Sequence, residues 1–222
     1  MRLLTTRLLT TSLAALCLLA AQTASAVSPA GGATSVLLDT DTLAAAASLN
    51  LSGATGTVPE VSIPGGVAFG INPRDAATLP TTFTYNVGTL AGVTGTIEHT
   101  GSVFFNNDSV EVGNFTIGFD ATRATGDNTG FFVASTTGIA AVLFDTTNPV
   151  VNEASETLLD LEVDLVVSPE FAGFLLSNSL ASTDLTGADV GDARIQAVVP
   201  EPATLGLALL AGPVALMKRR RR

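Results

Sequence analysis

From residue 34 to residue 199 the chain is a succession of short apolar runs, each closed within a few residues by glycine, asparagine, aspartate or proline. This spacing constrains the fold more than any other feature. Val, Ile, Phe and Thr suit a half-buried pleated surface, and the punctuating residues suit turns. About ten such runs predict an all-β antiparallel sandwich or barrel-like domain. The expected strands cover residues 35–38, 43–51, 57–63, 67–71, 81–87, 93–98, 102–105, 110–120, 130–134, 139–144, 159–165 and 193–199. Pro59 makes 57–63 an edge or broken strand, and Asn148-Pro149 is expected to break the chain.

One segment shows a strict period of two. Leu159, Leu161, Val163 and Leu165 are expected to face a core, with Asp160, Glu162 and Asp164 facing water. The period then changes. Ser168-Pro169-Glu170 combines a capping hydroxyl, proline at a first helical position and an acid in the first turn. Phe171, Phe174 and Leu175 follow at helical spacing, so one short helix is expected near 169–180.

Both ends differ in character from the middle. Arg2 and Arg7 precede an apolar stretch over 8–21, and Ala24-Ser25-Ala26 forms an A-x-A site. That is the pattern of a signal peptide, with cleavage after Ala26. The only cysteine, Cys17, lies within it. Residues 27–33 read as a small-residue linker, 34–199 as an extracellular β-rich domain and 200–222 as a separate tail.

The tail opens with Pro200, Glu201 and Pro202. The prolines favour extended backbone in the residues before them. An apolar run over 205–217 follows, then Lys218, Arg219, Arg220, Arg221 and Arg222. As a helix the run is about 20 Å long, short against a hydrocarbon core of roughly 30 Å. Snorkelling basic side chains narrow the gap, and the cations favour a cytoplasmic end. Gly206, Gly212 and Pro213 suit transient inner-membrane anchoring better than a permanent span. In content and order the tail resembles the PEP-CTERM sorting signal of Gram-negative bacteria. The resemblance covers about a tenth of the chain. It implies recognition and processing by an exosortase, and a destination at the cell surface or in an extracellular polysaccharide or biofilm matrix.

Charge narrows the function classes. Nineteen acids and three arginines (Arg74, Arg123, Arg194) fall in 27–199, leaving sixteen net negative charges there. Such a surface repels nucleic acid and anionic lipid. Without a cysteine the domain has no disulfide and no thiolate chemistry. His99 is its only histidine, and one histidine cannot build a zinc site. The Glu98-His99 pair is not a dyad, because neighbours on a strand point to opposite faces. There is no tryptophan, and Tyr85 is the only tyrosine, so aromatic platforms for sugars are scarce.

Calcium takes oxygen ligands, and Asp184, Asp189 and Asp192 are the leading candidates. Asp39-Thr40-Asp41, Asn106-Asn107-Asp108, and Asp120 with Asp127-Asn128 are further ones, though none matches a calcium-loop motif. The expectation is therefore a non-enzymatic structural protein of the surface or matrix, with no catalytic residue and no obligatory cofactor. Its rivals are an exported polysaccharide hydrolase, which needs only two carboxylates, and a Ca²⁺-dependent adhesion module. Intact-mass analysis of cell-surface material is expected to show a start at Val27 and loss of the basic tail; full-length precursor as the dominant species would contradict both processing sites.

Overall fold

The computed structural model describes residues 26–200 of the 222. Its strands are β1 (Ala26–Val27), β2 (Gly31–Leu38), β3 (Leu51–Thr55), β4 (Val67–Gly70), β5 (Tyr85–Asn86) and β6 (Ile97–Glu98). They continue with β7 (Ser102–Phe105), β8 (Val110–Phe119), β9 (Phe131–Gly138), β10 (Ala141–Ala154), β11 (Leu158–Val167) and β12 (Asp189–Val198). Two short helices, α1 (Thr40–Ala47) and α2 (Pro169–Ser177), complete the set.

All pairings of the main sheet are antiparallel, in the order β3-β7-β8-β9-β10-β11-β12-β2-β4, with β6 added beside β8. The two outermost strands then approach each other. Thr57, just beyond β3, bridges Phe69 of β4, and the Val58 N–H donates to the Ala68 carbonyl at 2.9 Å. Ile71 bridges His99, and the Asn72 N–H donates to Glu98 O at 2.7 Å. The sheet is thus a nearly closed barrel, which removes most of the exposed strand edge that an open sheet of this size would present.

Each end is plugged. At one, β1 pairs with β5, burying Val27, Phe83 and Tyr85. The Ser28 hydroxyl donates to Phe83 O at 2.6 Å, and the Tyr85 hydroxyl to Ser155 O at 2.8 Å. Residues 27–33, expected as a linker, therefore belong to the folded body. At the other end sit the two helices. Ser168 caps α2 by accepting from the Phe171 N–H, and its hydroxyl donates to Val142 O; Phe171, Ala172 and Leu175 are buried.

The expected helix near 169–180 is present, ending at Ser177. A second helix, α1, replaces the strand expected over 43–51. Asp39 accepts from the Thr42 N–H and hydroxyl, which is an N-cap, and the four alanines at 44–47 are the strongest helix formers available. Residues 57–63 make only the Thr57 bridge and then run as loop. Asn148-Pro149 does not break the chain. It forms a bulge inside β10, between the Thr147 and Val150 pairings with β11, with Asn148 at φ 46°. The sorting helix expected beyond residue 200 lies outside the described residues.

The barrel interior takes the predicted face of β11, with Leu159, Leu161, Val163 and Leu165 all buried. Asp160 departs from expectation, being only 6 % exposed on the outer face. Replacing Leu161 with Asp should place an unpaired charge in this core, at a cost on the order of 5 kcal/mol. Glu162→Gln on the opposite face should cost under about 1 kcal/mol. Urea melts of the two variants check this, and the reverse ranking would mean the strand faces are exchanged.

Candidate functional site

The acidic clusters are mostly taken up by their own turns. Asp184 accepts from the Thr186 N–H at 2.9 Å and its hydroxyl at 2.7 Å. These bonds hold its carboxyl below the usual range. Asp120 does the same with Thr122, capping a single 3-10 turn over Ala121–Arg123. Asn106, Asn107 and Asp108 are three consecutive left-handed residues, at φ 55°, 53° and 63°. They form the turn between β7 and β8.

Asp189 accepts from the Gly191 N–H at 3.1 Å. Asp192 lies opposite Asp164 on the outer face of β11 and β12. Its pKa is raised by partial burial and by the neighbouring charges of Asp164, Asp189 and Glu162. Among the described residues no group of three or more His, Asp or Glu side chains converges to hold a metal.

His99 points the other way, into the barrel, and is 1 % exposed. Its Nδ1 lies 3.1 Å from the Phe115 carbonyl and its Nε2 2.8 Å from the Thr34 hydroxyl. A carbonyl can only accept, so Nδ1 carries the proton and Nε2 accepts from Thr34. Burial pushes the imidazole down to about 4, and the Phe115 bond opposes this only in part. The neutral ring is therefore a structural bridge with both nitrogens engaged. Glu98, its neighbour, faces outward and accepts from the Thr116 hydroxyl at 2.7 Å. The two side chains take opposite faces, as strand geometry requires.

The described residues contain three arginines, and two of them are clamps. Arg123 forms a two-pronged pair with Asp145, at 2.6 and 3.2 Å, and another with Glu170, at 2.7 and 2.9 Å. It also lies over the Phe132 ring at 5.8 Å. The 3-10 turn, β10 and α2 are joined through this one guanidinium. The Arg123 bonds bring the Glu170 carboxyl down to about 2. On the far face Arg194 holds Asp160 through Nε at 2.9 Å and through a terminal nitrogen at 2.7 Å. It also reaches Glu162 at 3.0 Å. Gln196 and Asn152 donate to Asp160 as well. This set explains why Asp160 is buried and why its carboxyl stays below the usual range. Arg74 is exposed.

The aromatic residues make no outward platform. Tyr85 is fully buried, and burial raises its hydroxyl to about 12. The phenylalanines mostly line the core, with Phe119 the most exposed at 39 %.

The two processing sites expected from the sequence would flank this body. Ala26 opens β1 opposite Asn86. The Val199 N–H donates to Thr157 O at 2.9 Å, so the barrel reaches the residue before Pro200, which is exposed. Ala24, Glu201, Pro202 and the cluster from Lys218 to Arg222 lie outside the described residues.

No family model and no curated protein matches this sequence. Among solved structures it is similar to the crystal structure of the C-terminal domain of HtaA from Corynebacterium glutamicum. The TM-score is 0.50 at 14 % sequence identity, over 78 % of this chain and 99 % of that domain. The likeness is one of fold.

Arg123→Ala should leave the buried Asp145 carboxylate without its partner and cost about 3 kcal/mol. The acid side gives a second readout. Glu170 binds its proton less readily in the folded state. Its stabilisation is therefore present above its ordinary value of 4.5 and is lost as the pH falls toward about 2. Urea titrations at pH 7 and across that acid window should show a lower midpoint for Arg123→Ala at pH 7 and a weaker acid dependence; equal midpoints would mean the clamp is not formed.

Proposed function

We propose that this chain is an exported, exosortase-sorted structural protein of the cell surface or extracellular matrix, without enzymatic activity of its own. The observation that carries the reading is the order of features after the last strand. Pro200-Glu201-Pro202, the apolar run and the five cations follow the barrel with one residue, Val199, between β12 and the motif. A protease-like transpeptidase needs an extended, reachable segment, and an exposed proline at the end of a closed domain suits that need.

The body offers support of a different kind. Asp39, Asp120, Asp184 and Asp189 accept from nearby backbone N–H groups, Asp145, Asp160, Glu162 and Glu170 pair with arginines, the one histidine bridges the core, and both barrel ends are plugged. Sixteen net negative charges on 27–199 suit a hydrated, cation-rich matrix of extracellular polysaccharide and discourage nucleic acid as a partner. The likeness to the HtaA domain is one of fold and leaves the ligand open.

Fractionation of cells with and without exosortase tests this directly. The processed protein is expected in the surface or matrix fraction of the complete strain, and the tailed precursor in the inner membrane when exosortase is missing. An unchanged distribution and mass would overturn the sorting assignment. Turnover of a polysaccharide that is lost on replacing one or two carboxylates would overturn the structural one.

A further inference from the structure

We infer that the loop of residues 73–80 is a cleavage site for an arginine-specific endoprotease, cut after Arg74, and that the barrel stays assembled once cut. This inference is independent of the sorting reading. It begins with a scarcity: residues 27–199 contain no lysine and only three arginines, Arg74, Arg123 and Arg194. A protease whose specificity pocket takes a basic side chain therefore has three bonds to choose from. The fold withholds two of them. The guanidinium of Arg123 is divided between Asp145 and Glu170 and lies over Phe132, and its side chain is 16 % exposed. Arg194 is held by Asp160 and Glu162. Its backbone lies within β12, paired with β11 on one side and β2 on the other. To enter a protease either arginine must leave its carboxylates, and Arg194 must also break the barrel wall.

Arg74 is placed differently. Pro73, Arg74 and Asp75 are consecutive exposed residues, and no residue of 73–80 is buried. The residue after Arg74 is aspartate and not proline, so the bond to be cut is an ordinary secondary amide. Among the described residues two hydrogen bonds hold the loop to itself. The Ala76 N–H donates to Pro73 O at 3.2 Å, and the Asn72 side chain donates to Leu79 O at 3.1 Å. Neither involves Arg74. A protease binds several residues of its substrate as an extended strand, so the loop must open locally. Two exposed or half-buried bonds and no buried side chain make that opening cheap.

The ends of the loop are fixed independently of its middle. The Asn72 N–H donates to Glu98 O at 2.7 Å, and the Glu98 N–H donates to the Thr81 hydroxyl at 3.1 Å. Both ends rest on one residue of β6, so 73–80 stands out as a closed loop of the omega kind. Hydrolysis adds water across the Arg74–Asp75 amide, leaving a carboxylate on Arg74 and an α-ammonium on Asp75. Neither anchor is touched. The piece ending at Arg74 keeps its pairings with the rest: β2 with β12 over eight register positions, β3 with β7, and β1 with β5. The Thr34–His99 bond also spans the cut.

The test applies trypsin to the mature exported protein in native buffer and reads intact masses over time. The first products should be two fragments that meet at the Arg74–Asp75 bond. Cleavage after Arg123 or Arg194 should be at least about 100-fold slower, because it requires breaking a clamp or the sheet. The two fragments should elute together at the position of the uncut protein in size exclusion and separate in concentrated urea. Arg74→Gln, a change at an exposed position, should abolish the early cut and leave the melting temperature unchanged. Cuts among Lys218–Arg222 in any unsorted precursor alter only the length of the second fragment, so failure of the sorting reading is told apart. The masses from the unaltered protein decide the question even without the variant. Cleavage at Arg123 or Arg194 as fast as at Arg74, an intact chain under conditions that cut the urea-unfolded protein, or fragments that part in native buffer would each overturn the inference.

Discussion

His99 sits where the barrel closes, and most of the interior depends on how it is satisfied. Its backbone bridges Ile71 at the end of β4. Its ring joins Thr34 of β2 to the Phe115 carbonyl of β8. One side chain thus links both sides of the seam where the sheet curls back on itself. A charged imidazolium would gain a proton on Nε2 that Thr34 could accept only by giving up its own bond, in a space without a carboxylate. Keeping the ring neutral keeps the interior apolar.

The outside obeys a different economy of charge. Nineteen acids against three arginines would repel one another over any compact surface. Two arginines therefore act at junctions. Arg123 fastens α2 and the 3-10 turn to β10, and Arg194 gathers Asp160 and Glu162 across β11 and β12. Arginine suits this work because its planar fork can bind two carboxylates at once. Of the remaining acids, Asp39, Asp120, Asp184 and Asp189 accept from N–H groups two or three residues on, and most of the others are exposed or half-buried. They leave the protein strongly anionic outside while the interior carries no net charge.

The parts of this fold legible in the sequence are those set by local pattern. The alternation over 159–165 identified the buried face of β11, and Ser168-Pro169-Glu170 marked the start of α2. Helix α1 was hidden because Leu43 and the alanines also read as an apolar run, and because Asp39 looked like a ligand when it is a cap. Asn148-Pro149 looked like a stop, yet a bulge absorbs it inside a strand of fourteen residues. Asp160 was misplaced for another reason. Its burial depends on Arg194 and Gln196, more than thirty residues later, and pairing of that range leaves no trace in local periodicity. Thr34 as the partner of His99 was illegible for the same reason.

The central physical claim is a neutral, bridging His99 inside an apolar barrel, and the chain contains a single histidine. Nitrogen-15 NMR of that imidazole, followed from pH 8 to pH 4, tests it without ambiguity of assignment. The account predicts a proton on Nδ1, an unprotonated Nε2, and a neutral ring that persists until the pH approaches about 4. An imidazole that carries its proton on Nε2, or that titrates at its ordinary value of 6.5, would contradict it.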